Sequence, residues 1–183
     1  MGWLDAMPLL DLNIGRQTFD CDCGAKALQL VMAYYGVDIR LGELLEKLGT
    51  DEMGTSVQKM IDVAGEMGFE VLAREGWSLE EVKVLIDDGR PFIVLLQAWA
   101  ERQMTLEEWR KDYEDGYYAV VIGYTRGLLI FEDPASFRRT WLSEEEFLAR
   151  WHDKSPETGE VHDRFGMVLL GREPLRRTAV KMG

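Results

Sequence analysis

The sequence predicts an α+β fold in one domain, and three observations predict it. The first third of the chain carries apolar residues at helical spacing. From residue 69 onward, short alternating or continuous apolar runs bounded by turn residues read as strands. These runs do not alternate regularly with helices, so the arrangement is helices followed by a mostly antiparallel sheet rather than a series of βαβ units. At 183 residues and 46% hydrophobic content, the chain 1–183 is sized for a single domain with a real core.

The first helix is expected over 25–35, with Ala27, Leu28, Val31, Met32 and Tyr35 on one face and Gly36 closing it. A second spans 41–48. A third spans 56–67, where Val57, Met60, Ile61 and Ala64 repeat before Gly68. FEVLAR, 69–74, alternates as a short strand. SLEEVKVLIDDG, 78–89, is a helix opened by Ser78 with Glu81 three residues on, the reciprocal capping pattern. PFIVLLQAW, 91–99, is a continuous apolar run, as a central strand buried on both faces should be. A polar, aromatic-studded excursion over 100–116 precedes the strand YYAVVIGY, 117–124. GLLIFEDP, 127–134, is the next strand, SEEEFLARW, 143–151, a short helix capped by Ser143, and FGMVLLG, 165–171, the last strand.

The formal charge of −12 would repel a nucleic-acid backbone. No apolar stretch approaches the roughly 20 residues that cross a bilayer. MGWLDAMPLLDL has an acid where a secretory signal carries positive charge, so the chain reads as soluble and cytoplasmic, with no membrane partner. Cys21 and Cys23 are separated by one residue, poorly placed for a disulfide with each other, which fits a reducing compartment. His152 and His162 lie too far from the cysteines to form a recognisable zinc spacing, and neither a metal nor a cofactor is expected.

QTFDCDCGAKALQLVMAYYG, 17–36, sets Asp22-Cys23-Gly24 against the start of the first helix. Helix-terminal amides and the dipole favour a thiolate there. Gly24 allows a backbone or substrate to approach closely, and Gln17 lies where its side-chain amide could serve an oxyanion. Free cysteine is also among the most buried residue types, and Asp22 has an ordinary use as an acid at a helix start. The tripeptide by itself does not decide between nucleophile and core.

The ordered set Gln17, Asp22-Cys23-Gly24, Ala27, Leu28, Tyr34-Tyr35-Gly36, PFIVLL, DGYYAVVIGY, Asp133-Pro134 and WLSEEEFLARWHD resembles the C39 cysteine peptidases, the bacteriocin-processing type and their stand-alone relatives. The likeness covers about residues 14–171 and implies a papain-like fold. It implies that Cys23 attacks a peptide carbonyl, that Asp133 orients a histidine and that Gln17 donates to the oxyanion, with a peptide or protein as partner. Hydrolysis and acyl transfer use the same nucleophile and are not separated. The chain lacks a membrane segment and a G-x-x-x-x-G-K-[ST] motif, and so resembles the stand-alone members more than an export machine.

One position departs from the pattern. The family reads Asp-Gly-His before the motif strand, whereas this chain reads Asp115-Gly116-Tyr117. Imidazole, with a pKa of roughly 6.5, exchanges the thiol proton near neutrality, and a phenol at about 10 does not. Three readings follow: a peptidase that is weak or inactive because its base has been replaced, a non-catalytic module that binds peptide or protein in the same cleft, and an enzyme with a relocated base. His152 is the nearest candidate for that base, His162 a more distant one. Around the excursion, Gln97, Trp99, Trp109, Tyr113 and Tyr118 either line a peptide groove or pack as core. With Gly24, the residues Gln97, Trp99 and Tyr118 are the substrate-binding candidates. The acidic DYED run and the net charge favour a basic or neutral peptide over an acidic one.

Overall fold

The structure is a computed structural model that describes residues 8–12, 21–175 and 181–182. Its first helix, α1 (Cys23–Tyr34), begins two residues earlier than the apolar periodicity suggests, which places Cys23 in its first turn. Gly36 follows with φ of 79°, a left-handed position that releases the chain from the helix. Then come α2 (Leu41–Leu48) and α3 (Val57–Glu66), the latter capped by Ser56, whose side chain accepts from the Lys59 amide.

The strand β1 (Glu70–Arg74) leads into α4 (Leu79–Asp87), where Ser78 and Glu81 form the expected reciprocal capping box. The apolar run becomes β2 (Phe92–Gln97), buried throughout. Its pairing runs one residue further, with the Ala98 amide donating to the Asp115 carbonyl, and ends where Trp99 turns into a left-handed conformation at φ 62°. The excursion contains a short helix, α5 (Leu106–Trp109), with its own capping box between Thr105 and Glu108. β3 (Gly116–Thr125) and β4 (Leu128–Glu132) form a hairpin, followed by β5 (Thr140–Ser143) and α6 (Glu144–Arg150). A small separate ribbon, β6 (His152–Lys154) with β7 (Val161–Asp163), precedes β8 (Gly166–Leu170).

The main sheet has the order β1-β8-β2-β3-β4-β5, and its pairings are antiparallel. β2 therefore sits in its interior, as its continuous apolar run requires. α1 packs on β3 and so sets Cys23 against the start of that strand. Beneath the β2 end, Trp77, Phe92, Trp151 and Phe147 make a chain of ring contacts at 4.5–6.1 Å. Gly166 is part of that packing, since a Cβ there would overlap the Phe92 ring. Gly166→Ala should therefore cost about 1–3 kcal/mol or more through overpacking, read as a lower urea midpoint.

Candidate active site

Cys23 opens α1 with Asp22 as its N-cap residue, and both are buried, Cys23 at 8% exposure. Gly24 fits beneath the Tyr118 ring and the Thr55 side chain. A Cβ there would lie 3.0 Å from Tyr118 Cδ2 and 3.1 Å from Thr55 Cβ, so the close approach served at Gly24 is a packing contact. Tyr118 is held in place by donating its hydroxyl to the Thr55 carbonyl at 3.1 Å. Backbone N–H groups of Tyr118, Gly24 and Cys23 favour the thiolate, in the sense that a helix start predicts. Burial outweighs them and, helped by the negative charge of Asp22, pushes the Cys23 thiol up to about 11. The amides thus act in the expected direction, and desolvation opposes them.

On the neighbouring strand, Tyr117 donates its hydroxyl proton to Asp133 Oδ1 at 2.8 Å and accepts from the Ala135 amide at 2.6 Å. The β3–β4 pairing brings the two residues together, with Val120 opposite Glu132. Asp133 is further fixed by the Ala135 amide on Oδ1 at 2.9 Å and by the Thr140 hydroxyl on Oδ2 at 3.0 Å. Burial pushes the Tyr117 phenol far up, and the charge and hydrogen bond of Asp133 and the nearby Cys23 act in the same direction. Cys23, Tyr117 and Asp133 are thus neighbours in one buried cluster. Gln17 lies outside the described residues.

A cleft of about 870 Å³ opens beside this cluster, between the α2–α3 connection and the β6–β7 ribbon. Its lining includes Cys23, Thr55, Gly116, Tyr118, Asp153, Glu160 and His162. Tyr117 and Asp133 do not line it.

The other candidates fall in different places. Gln97 is completely buried, and its amide is consumed by the fold: Nε2 donates to Asp153 Oδ1 at 2.7 Å and to the His152 carbonyl at 3.1 Å, while Oε1 accepts from the Asp115 amide at 2.9 Å. It supports the cleft from beneath. Trp99 is 57% exposed and is not among the cleft-lining residues, whereas Tyr113 lines the cleft and packs its ring 4.8 Å from His152. Trp109 is core and lies under the Arg150 guanidinium.

The histidines are engaged elsewhere. His152 turns Nε2 to the carbonyls of Trp109 and Ala149 at 3.0 and 3.2 Å, so that nitrogen serves as a donor to structure. His162 lines the cleft with Nδ1 held 2.9 Å from Glu75 Oε1. Sequence reasoning missed Thr140, Thr55 and Asp153. Nothing local marks the first two, but Asp153 stands in the quoted WHD segment, directly after the histidine that drew attention.

A profile of the peptidase C39 family matches residues 11–155. The chain belongs to the peptidase C39 family.

Among C39 relatives, the chain is 30% identical over 141 residues to the lactococcin-A transport/processing ATP-binding protein LcnC of Lactococcus lactis, an alignment covering 76% of this chain. It is 24% identical over 136 residues to the pediocin PA-1 transport/processing ATP-binding protein PedD of Pediococcus acidilactici. The matched region is 18% and 17% of the length of those two relatives. Of the solved structures, the peptidase domain of Streptococcus ComA, a bifunctional ABC transporter, superposes with a TM-score of 0.62 at 26% identity, covering 86% of this chain and 96% of that one. A C39-like peptidase from Bacillus anthracis gives a TM-score of 0.68 at 14% identity over 92% and 99% of the two chains, a likeness of fold. A double-glycine-motif protease in complex with its leader peptide gives 0.63 at 18% identity over 88% and 92%. The α+β, papain-like architecture is that of C39 peptidase domains. No helix among the described residues is long and apolar enough to cross a membrane.

Proposed function

We propose that this C39-family chain is a cysteine peptidase scaffold that holds a peptide or protein segment in the cleft beside Cys23 and, with tyrosine at position 117, cleaves it weakly or not at all. The observation that carries this reading is the Tyr117 hydroxyl: its single proton goes to Asp133, and its phenol is held far above neutrality. It therefore has no proton to give the sulfur and no basicity with which to take one. Burial raises the Cys23 pKa and so favours the thiol over the thiolate. Peptide as ligand is supported by the leader-peptide complex of the structural relative, and the two free thiols suit a reducing compartment such as the cytoplasm. Peptide binding without turnover is the form of this reading that the Tyr117–Asp133 hydrogen bond favours over a relocated base, since His152 is committed to backbone carbonyls.

Alkylation by iodoacetamide, followed by peptide mapping across pH 7–11, tests it. At pH 7, four units below the Cys23 pKa of about 11, roughly one thiol in ten thousand is ionised, so Cys23 should react more slowly than the more exposed Cys21. Its rate should rise about tenfold per pH unit and level off near 11, because the thiolate is the nucleophile. Fast, pH-independent labelling of Cys23 at neutrality would show a primed nucleophile and overturn the reading.

A further inference from the structure

Asp153 is the residue of the cleft that the site as described does not use. It is 8% exposed and lines the cleft, and its carboxylate lies directly over Gly116, where a Cβ would come within 2.5 Å of Oδ1. It belongs to a built frame. Gln97, itself completely buried, points Nε2 at Asp153 Oδ1 and is fixed by the His152 carbonyl and the Asp115 amide, so the carboxylate is held in one orientation. Buried carboxylates are ordinarily matched by a cation. Among the described residues, the basic groups whose charge acts on it are His162 and His152, and both favour the carboxylate. His162 gives Nδ1 to Glu75, and His152 gives Nε2 to Trp109 and Ala149. Neither imidazole hydrogen-bonds the Asp153 carboxylate, and among the described residues no lysine or arginine is ion-paired with it. Burial raises its pKa, and the Lys154 backbone N–H, the Gln97 amide and the two histidines among the described residues offset that only in part.

The rest of the cleft has the same sign. Asp51, Glu75, Glu114, Glu157 and Glu160 line it against Lys59, Arg74 and Lys154, and Arg74 is already paired with Glu81 and stacked on Trp77. Such acids alone would be a solvated face. A desolvated carboxylate held at the cleft wall is what makes them part of a recognition site, because a cation reaching it is drawn in by the surrounding field and pairs where water is scarce.

We propose that the cleft selects a cationic peptide segment, with a lysine or arginine side chain pairing with Asp153 while the neighbouring backbone runs past Cys23. Gln97 is then the positioning residue for that carboxylate. This assignment rests on the reading of the cleft as a peptide site and adds the class of peptide.

The test uses fluorescence anisotropy of labelled decapeptide pools with lysine or arginine, norleucine, or glutamate fixed at one position and the rest randomised, titrated with the full chain and with Asp153→Asn. Asparagine keeps an oxygen for Gln97, so the frame is retained. Lysine and arginine pools should bind at least about tenfold more tightly than norleucine pools, glutamate pools should bind weakest, and Asp153→Asn should abolish the first difference. Equal binding of lysine and norleucine pools by the unaltered chain would overturn the proposal whatever the variant does, and would leave the peptide reading standing. A lysine preference that survives Asp153→Asn would also overturn it. If no pool binds, the peptide reading fails and takes this proposal with it. Spermidine that displaces lysine pools and binds as tightly by itself would identify the ligand as a free polyamine and exclude the peptide assignment.

Discussion

Replacing Tyr117 by histidine raises Cys23-dependent peptide hydrolysis by about 10²–10⁴-fold, the range that a positioned general acid–base contributes. The carboxylate that would orient the new imidazole does not depend on Tyr117 for its place, since the Ala135 amide and the Thr140 hydroxyl hold both oxygens of Asp133. Histidine is shorter than tyrosine and leaves the phenol's position to water, so the gain should fall short of the roughly six orders of magnitude lost when a serine protease loses its triad histidine. An imidazolium beside Cys23 also opposes the burial that keeps the sulfur protonated, and the alkylation profile of Cys23 should shift to lower pH in the variant. The measurement is the rate of cleavage of a mixed fluorogenic peptide library by the unaltered chain and by Tyr117→His, with Cys23→Ala as the blank in each. An unchanged rate together with an unchanged alkylation profile would mean that the missing base is not what limits this site.

Trp151→Ala is expected to be the most destabilising single truncation of the fold, by about 3–5 kcal/mol. Trp151 is 1% exposed, packs between Phe147 and an edge-on Phe92, and donates its indole N–H to the Phe165 carbonyl at 2.9 Å. Removing it opens a cavity under the sheet and leaves that carbonyl without its partner, which adds to the cost of lost packing. Against the usual 5–15 kcal/mol of a domain, this is a large fraction. Urea unfolding should show a much lower midpoint at nearly unchanged slope. The loss should also reach the cleft, because the Trp151 carbonyl accepts from Arg164 and the ribbon carrying Asp153 starts at the next residue. A shift below about 1 kcal/mol would mean that the surrounding rings collapse into the space.

The elements that were legible are those whose signal is local. β2 announces itself as an unbroken apolar run, and α4 and α6 by serine followed three residues later by glutamate. The same signature, Thr105 to Glu108, opens α5, but a helix of one turn carries no periodicity to support it. β5, β6 and β7 are three or four residues long and were missed for that reason. Trp99 shows the limit of side-chain type as a guide. An aromatic next to a strand end suggests a groove, yet its left-handed backbone leaves the ring largely in solvent and outside the cleft lining.

The sequence by itself determined the α+β class and the C39 family, and it displays a tyrosine, Tyr117, where the family resemblance leads one to expect histidine, because each is a matter of residue identity in order along the chain. The tertiary structure alone decided how those residues behave. It set the Cys23 thiol high, since desolvation by distant segments outweighs the helix-start amides that the sequence displays. It turned Gln97 from a groove residue into a buried brace, since β6 folds over the end of β2. It also placed Asp153 at the cleft, where burial outweighs the groups that favour its charge, since the electrostatics of a buried group depend on everything packed around it.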